Sequence, residues 1–290
     1  MKIGYNQATA MGCSTLEKDL LLCEKAGFDY IEIRLDMLSD YLKTHTVTHL
    51  KNFFANSRLK PHAFNALYTY REMFSSDDDP RRTEEVLRQF MLGCEVGREI
   101  GANYFVIVTP MIPAPSTDVY PYGEEDMHKH CVRILARLAE IAGGYGMRLC
   151  FEPVGFQRCA VRNIRQADAI IREVNHPDVG IALDTYNLFV DGGNNDYSAI
   201  KQLRPEEIFV AHIQNADILP PEKWGQNTRR FCGEGMLDLA NYLQNLKGIN
   251  YTGVVSIEVF RPEYWAMQPE WVIEQAYKTT RECLALNGCL

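Results

Sequence analysis

Short apolar stretches, some alternating between two faces and some continuous, exchange along this chain with longer stretches of helical period. Ile3–Asn6, Gly27–Arg34, Lys60–Leu67, Tyr104–Thr109, Met147–Val154, Val179–Thr185, Glu207–Gln214 and Gly253–Phe260 read as eight strands. Tyr104-Phe105-Val106-Ile107-Val108 is the most apolar, as expected of a parallel strand buried on both faces. Helical segments are predicted from Ser14 or Thr15, with Glu17 in the first turn, and over Arg82–Ile100, Glu124–Tyr145, Ile164–Val174 and Pro269–Leu286. In Met127–Ala142 the apolar residues Cys131, Ile134, Leu135, Leu138 and Ile141 recur at helical spacing, with Arg133, Arg137 and Glu140 between them. Gly27, Gly101 and Gly146 each stand just before a strand, where a left-handed cap would close the preceding helix.

Eight strands alternating with helices predict an α/β fold, a (β/α)8 TIM barrel forming a single domain over residues 1–290. A doubly wound open sheet is the alternative, but no Gly-x-Gly-x-x-Gly follows the first strand and no phosphate-loop motif occurs. The Pro-rich Thr109–Pro115 and the polar Ser75–Arg82 follow the fourth and third strands, so both are expected on the face where barrel enzymes build their sites.

Composition narrows the partners. With 30 basic and 38 acidic residues the net charge is −8, and no basic run appears. Nucleic acid and anionic membrane are therefore poor partners, because neutralising phosphate supplies most of such affinity. No window approaches the roughly 18 apolar residues of a membrane span. Met1–Asn6 enters a strand at once without an apolar leader, so a cytoplasmic location is expected. The nine cysteines include no Cys-x-x-Cys pair and read as reduced thiols. A homo-oligomer is compatible with this composition.

Four polar residues close apolar strands at the expected catalytic face: Glu152 on the fifth strand, Asp184 on the sixth, His212 on the seventh and Glu258 on the eighth. About one βα repeat separates Glu152 from Asp184 and Asp184 from His212. A repeat plus a long insertion separates His212 from Glu258. Taken singly, a strand-end carboxylate is more often a cap or ion-pair partner, and a lone histidine more often a core residue. In register on four neighbouring strands, three carboxylates would repel one another unless a cation lay among them. Three oxygens and an imidazole suit one divalent ion, Mn²⁺ foremost, with Mg²⁺, Co²⁺ or Zn²⁺ also compatible.

These segments resemble the xylose isomerase-like superfamily of sugar isomerases and epimerases, and within it the inosose (2-keto-myo-inositol) isomerases. The resemblance runs from Tyr5-Asn6-Gln7-Ala8-Thr9 and Cys23–Arg34, through Lys60-Pro61, Asn65-Ala66-Leu67 and Glu152-Pro153-Val154-Gly155, to the specific Val255–Tyr264. It implies that Glu152, Asp184, His212 and Glu258 bind the metal, and that Arg229 lies on the substrate side. Asn187, Arg158 and Trp224 are further candidates to contact substrate. Asn187 stands where relatives often carry a histidine, Phe156 where inosose isomerases do, and Arg158 where ketose 3-epimerases carry a glutamate. The implied activity is a metal-assisted shift of a proton beside the carbonyl of a small polyhydroxylated ketone through a cis-enediolate, with Glu152 or Glu258 as base. Alternatives are a ketose 3-epimerase, a 3-dehydroshikimate-type dehydratase, whose usual histidine is here Val154, and a non-catalytic sugar-binding subunit. A multi-zinc endonuclease would need more strand-end histidines than His62 and His212; His128 and His130 read as surface residues. Tyr120, Tyr122, Trp224, Tyr264 and Trp265 are candidates to wall a sugar ring, and Glu32 and Arg34 to pair inside the barrel.

Overall fold

The computed structural model of the chain describes residues 1–113, 116 and 118–290. Eight parallel strands close a barrel in chain order: β1 (Lys2–Asn6), β2 (Tyr30–Arg34), β3 (Lys60–Tyr68), β4 (Tyr104–Val108), β5 (Arg148–Glu152), β6 (Val179–Asp184), β7 (Ile208–Ile213) and β8 (Val254–Ile257), with β8 paired back to β1. Each predicted strand is present; β1 and β3 run one residue further than predicted, and the other six are shorter. Gly27, for example, is not strand but the left-handed cap (φ 112°) that ends α1 (Leu16–Ala26), its N–H donating to the Cys23 carbonyl. Thr15 opens that helix by accepting from the Lys18 N–H.

The remaining major helices are α2 (Leu35–Tyr41), α3 (Val47–Asn56), α4 (Pro80–Ile100), α5 (Glu124–Gly143), α6 (Ile164–Val174), α7 (Thr185–Val190), α8 (Leu239–Gly248), α9 (Pro262–Trp265) and α10 (Pro269–Leu286). Helices α2, α3, α7, α8 and α9 go beyond the segments picked out by periodicity; all span ten residues or fewer, too short for a clear helical period. The Pro-rich loop after β4 is described in part, Ala114 and Pro115 lying outside the described residues. After β7 the insertion forms a short antiparallel ribbon, Asn215–Ala216 against Arg229–Arg230.

Two polar expectations change. Arg34 does not pair with Glu32; its guanidinium turns outward to Asp36, with Nε and Nη2 donating at 3.0 and 2.7 Å. His128 keeps an exposed edge and meets Glu173 at 2.8 Å, but His130 is buried, its Nδ1 3.4 Å from Asp126. His62 lies low in the barrel between the rings of Tyr30 and Tyr104, and burial pulls its pKa down to about 4, so it is a neutral core residue.

Asp19 on α1 is also buried. Its Oδ2 accepts from Gln7 Nε2 at 2.7 Å while Oδ1 has no partner, and burial pushes its pKa up to about 7. The folded chain thus holds this proton more tightly than the unfolded chain, where the pKa is about 4. Its contribution favours the fold below about pH 4 and is lost as pH rises towards about 7, at up to about 1.4 kcal/mol per pH unit. Asp19→Asn abolishes the titration, so its stability relative to wild type should climb across that window in urea unfolding; a constant difference would contradict the assignment.

Candidate metal centre

Glu152 and Asp184 end β5 and β6, His212 is the penultimate residue of β7, and Glu258 directly follows β8. Strand alternation and barrel stagger turn all four towards the axis at the C-terminal end. All are buried, and one ligand-type atom from each lies within 4.8 Å of the others. His212 Nδ1 faces Glu152 Oε1 and Glu258 Oε2 at 3.6 Å and Asp184 Oδ2 at 3.9 Å, with no hydrogen-bond partner among the described residues.

The ribbon after β7 swings Arg229 into this cluster. Its side chain is 1% exposed, and Nη1 donates at 2.9 Å both to Asp184 Oδ2 and to Glu258 Oε2. Nη2 reaches Asn187 Oδ1 at 3.2 Å. Asn187 is held in turn by α7, whose N-cap is Asp184 itself: the Asn187 N–H donates to Asp184 Oδ1 at 2.6 Å, and Nδ2 donates to Glu152 Oε1 at 3.1 Å. Gly155 lets the loop after β5 pass close beside α7, since a Cβ there would sit 2.2 Å from the Asn187 carbonyl.

Four residues around the cluster escaped the sequence reading as site residues. Gln214 Nε2 forks to both oxygens of Asp184, at 2.9 and 2.8 Å. Glu32 Oε2 meets His212 Nε2 at 2.9 Å, and Asn6 and Asn65 donate to Glu32 and Glu258. Their signal was a polar residue inside or just beyond an otherwise apolar strand.

A cavity of about 250 Å³ opens above the cluster. Glu152, Glu258, Asn187, Arg229 and Arg158 line it, the last with Nη1 donating to the Ile112 carbonyl at 2.7 Å. The structure does not bring Trp224 there. Its ring packs on Phe189 (centroids 5.1 Å) and over Gly193, and its Nε1 donates to Leu219. Tyr264 stacks on Phe231 at 4.1 Å, Trp265 donates to the Ala8 carbonyl, and Tyr120 packs edge-on to Tyr122. The aromatic rings on the cavity are instead Tyr68 and Phe260.

Charge explains why a cation belongs here. Four buried carboxylates, Glu32, Glu152, Asp184 and Glu258, face one guanidinium and one imidazole. Burial, with Glu152 and Asp184 nearby, raises the Glu258 pKa to about 7 despite His212 and Arg229. Burial alone would lower the His212 pKa, but Glu258 and Glu32 outweigh it and raise it well above the ordinary range. Burial would likewise raise Glu32, yet His212 beside it holds Glu32 down at about 2. A divalent cation among Glu152, Asp184 and Glu258 would relieve the repulsion that keeps a proton on the cluster. The donors fit it: three carboxylates, and a ring nitrogen without a partner.

The xylose isomerase-like TIM barrel model matches residues 20–283. The chain belongs to that family. It is 36% identical to the inosose isomerase of Bacillus subtilis over 97% of this chain and 96% of that one. With the inosose isomerase of Halalkalibacterium halodurans it shares 34% over 100% and 99% of the two chains. The crystal structure of IOLI protein with a binding zinc atom superposes with a TM-score of 0.88 at 35% identity, covering 99% of both chains.

If the four residues form one centre, the EDTA-stripped protein should take up close to one equivalent of Mn²⁺ or Zn²⁺. Ligand at about a hundredfold above Kd should stabilise the fold by about 2.7 kcal/mol, read as a rise in Tm. Asp184→Ala should lose both effects. Wild-type occupancy in a variant lacking Asp184 and His212 together would refute the assignment.

Proposed function

We propose that this chain is a divalent-metal-dependent isomerase that moves the carbonyl of a polyhydroxylated ketone, an inosose being the best-supported substrate. The observation that carries this reading is the buried quartet of Glu152, Asp184, His212 and Glu258 beneath a cavity, in a chain alike over its whole length to inosose isomerases. We further propose Mn²⁺ as the native ion, on its preference for carboxylate-rich sites. A role in inositol catabolism follows from the substrate, and nine free cysteines fit a reducing cytoplasm.

A divalent ion held by the four residues supplies Lewis acidity, which makes the C–H beside a ketone easier to deprotonate and favours enediolate charge. The chain supplies the rest. Glu152 and Glu258 both reach the cavity, so one can take the proton from the hydroxyl-bearing carbon and the other return a proton to the former carbonyl carbon, while the hydroxyl proton passes to the former carbonyl oxygen. Arg229 and Gln214 anchor Asp184, and Arg229 also ties down Glu258, which keeps the carboxylates from drifting as protons move. Val108, Met111, Val154 and Phe260 form an apolar wall that limits water, while Arg158, Gln226 and Tyr68 offer polar atoms to hydroxyls. Val154 brings no acid or base to that wall, which favours proton relocation over dehydration.

Incubation of the metal-loaded enzyme with a panel of inososes and ketoses in D₂O should introduce deuterium beside the carbonyl of its substrate, read by mass spectrometry. Inosose turnover with ring-position exchange supports the proposal; exchange confined to carbon 3 of a ketose would mean an epimerase instead. Under saturating metal, Glu258→Gln should retain the ion but lose about 10²–10⁴ in exchange rate, since an amide cannot take up the proton. Exchange near the wild-type rate would leave Glu258 as a ligand alone.

A further inference from the structure

Strands β5 to β8 carry the ligand set, yet the hydrogen bonds behind His212 and Glu258 come in part from β1, β2 and β3. Glu32, at the centre of β2, is fully buried, and its Oε2 is reached by three nitrogens: His212 Nε2 at 2.9 Å, Asn6 Nδ2 at 3.1 Å and Asn65 Nδ2 at 3.3 Å. The orientation of the Asn6 amide is settled by its own backbone contact. Its Oδ1 accepts from the Ala8 N–H at 2.9 Å, and a backbone N–H can only donate, so Nδ2 must face the carboxylates. With two amide N–H groups already donating to Oε2, that oxygen is the acceptor for His212 as well. The proton between Glu32 and His212 therefore belongs to Nε2, and Nδ1 is the nitrogen that faces Glu152, Asp184 and Glu258, able to give its lone pair to a cation once its own proton has left.

We propose that Glu32 is a positioning residue that selects Nδ1 of His212 as the metal-binding nitrogen and fixes the ring plane, with Asn6 linking this pair to Glu258. Asn6 Nδ2 lies 2.8 Å from Glu258 Oε1 as well as 3.1 Å from Glu32, so a single amide couples the histidine support to an acid–base candidate. Outer-shell acceptors of this kind govern tautomer and ligand basicity, and their loss weakens metal binding about 10–100-fold. This inference rests on the metal reading of the quartet.

Two substitutions of similar volume separate acceptor from filler. Glu32→Gln keeps an oxygen that can take the Nε2 proton's hydrogen bond, whereas Glu32→Met fills the space without one. With Co²⁺ as the probe, Glu32→Met should shift the visible absorption bands and lose about 10–100-fold in affinity against a competing chelator. Glu32→Gln should keep the wild-type bands with a smaller loss. If both variants match wild type in spectrum and affinity, the positioning role is overturned while the metal centre stands. Failure of the wild-type protein itself to take up Co²⁺ would overturn the metal reading and this inference with it. Circular dichroism and Zn²⁺-loaded histidine NMR decide the case of a poorly folded Met variant. In the Gln variant and wild type, the His212 Nε2–H should stay protected from solvent exchange, and rapid exchange in wild type would count against the assignment.

Discussion

Like charge crowded into a dry space governs this molecule. Three carboxylates converge within a few ångströms at the C-terminal end of a barrel, buried from bulk water beneath the cavity, and a fourth stands behind the histidine. Each neighbour answers that crowding: a guanidinium bridging two carboxylates, a glutamine forked onto one, and asparagines turned to donate. Buried ions without such partners would be costly, and deleting one partner typically removes several kcal/mol. The cluster is tolerable only as a set, which is why it reads as a cation site rather than as a network kept for stability.

The barrel was legible because it is written locally. Strand periods, helix caps at Gly27 and Gly101, and the regular spacing of Glu152, Asp184 and His212 are all features of short windows. Short helices such as α7 and α9 were not, because they are held by what they cap or pack against. Helix α7 exists where it does because Asp184 caps it while also facing the cluster.

Misreadings cluster where a residue's partner is remote in the chain. Glu32 and His212 are 180 positions apart and touch only because the barrel closes, so local proximity favoured Arg34, which had Asp36 two residues away. Trp224 looks like a sugar platform in sequence, but the nearest apolar surface to it is Phe189, and a ring takes the burial that is closest. Arg229 was expected on the substrate side and does line the cavity, with its Nη1 anchored to Asp184 and Glu258.

The division of labour between strands gives this centre a particular place in the life of the chain. During synthesis the supporting half, with Asn6, Glu32 and Asn65, emerges first, and the ligand half follows. Neither half alone holds the arrangement, because the asparagine on β1 reaches Glu258 only after β8 has paired with β1. The complete donor set is thus a property of the sealed cylinder, and a nascent or nicked chain would expose its carboxylates without the supports that the closed barrel gives them.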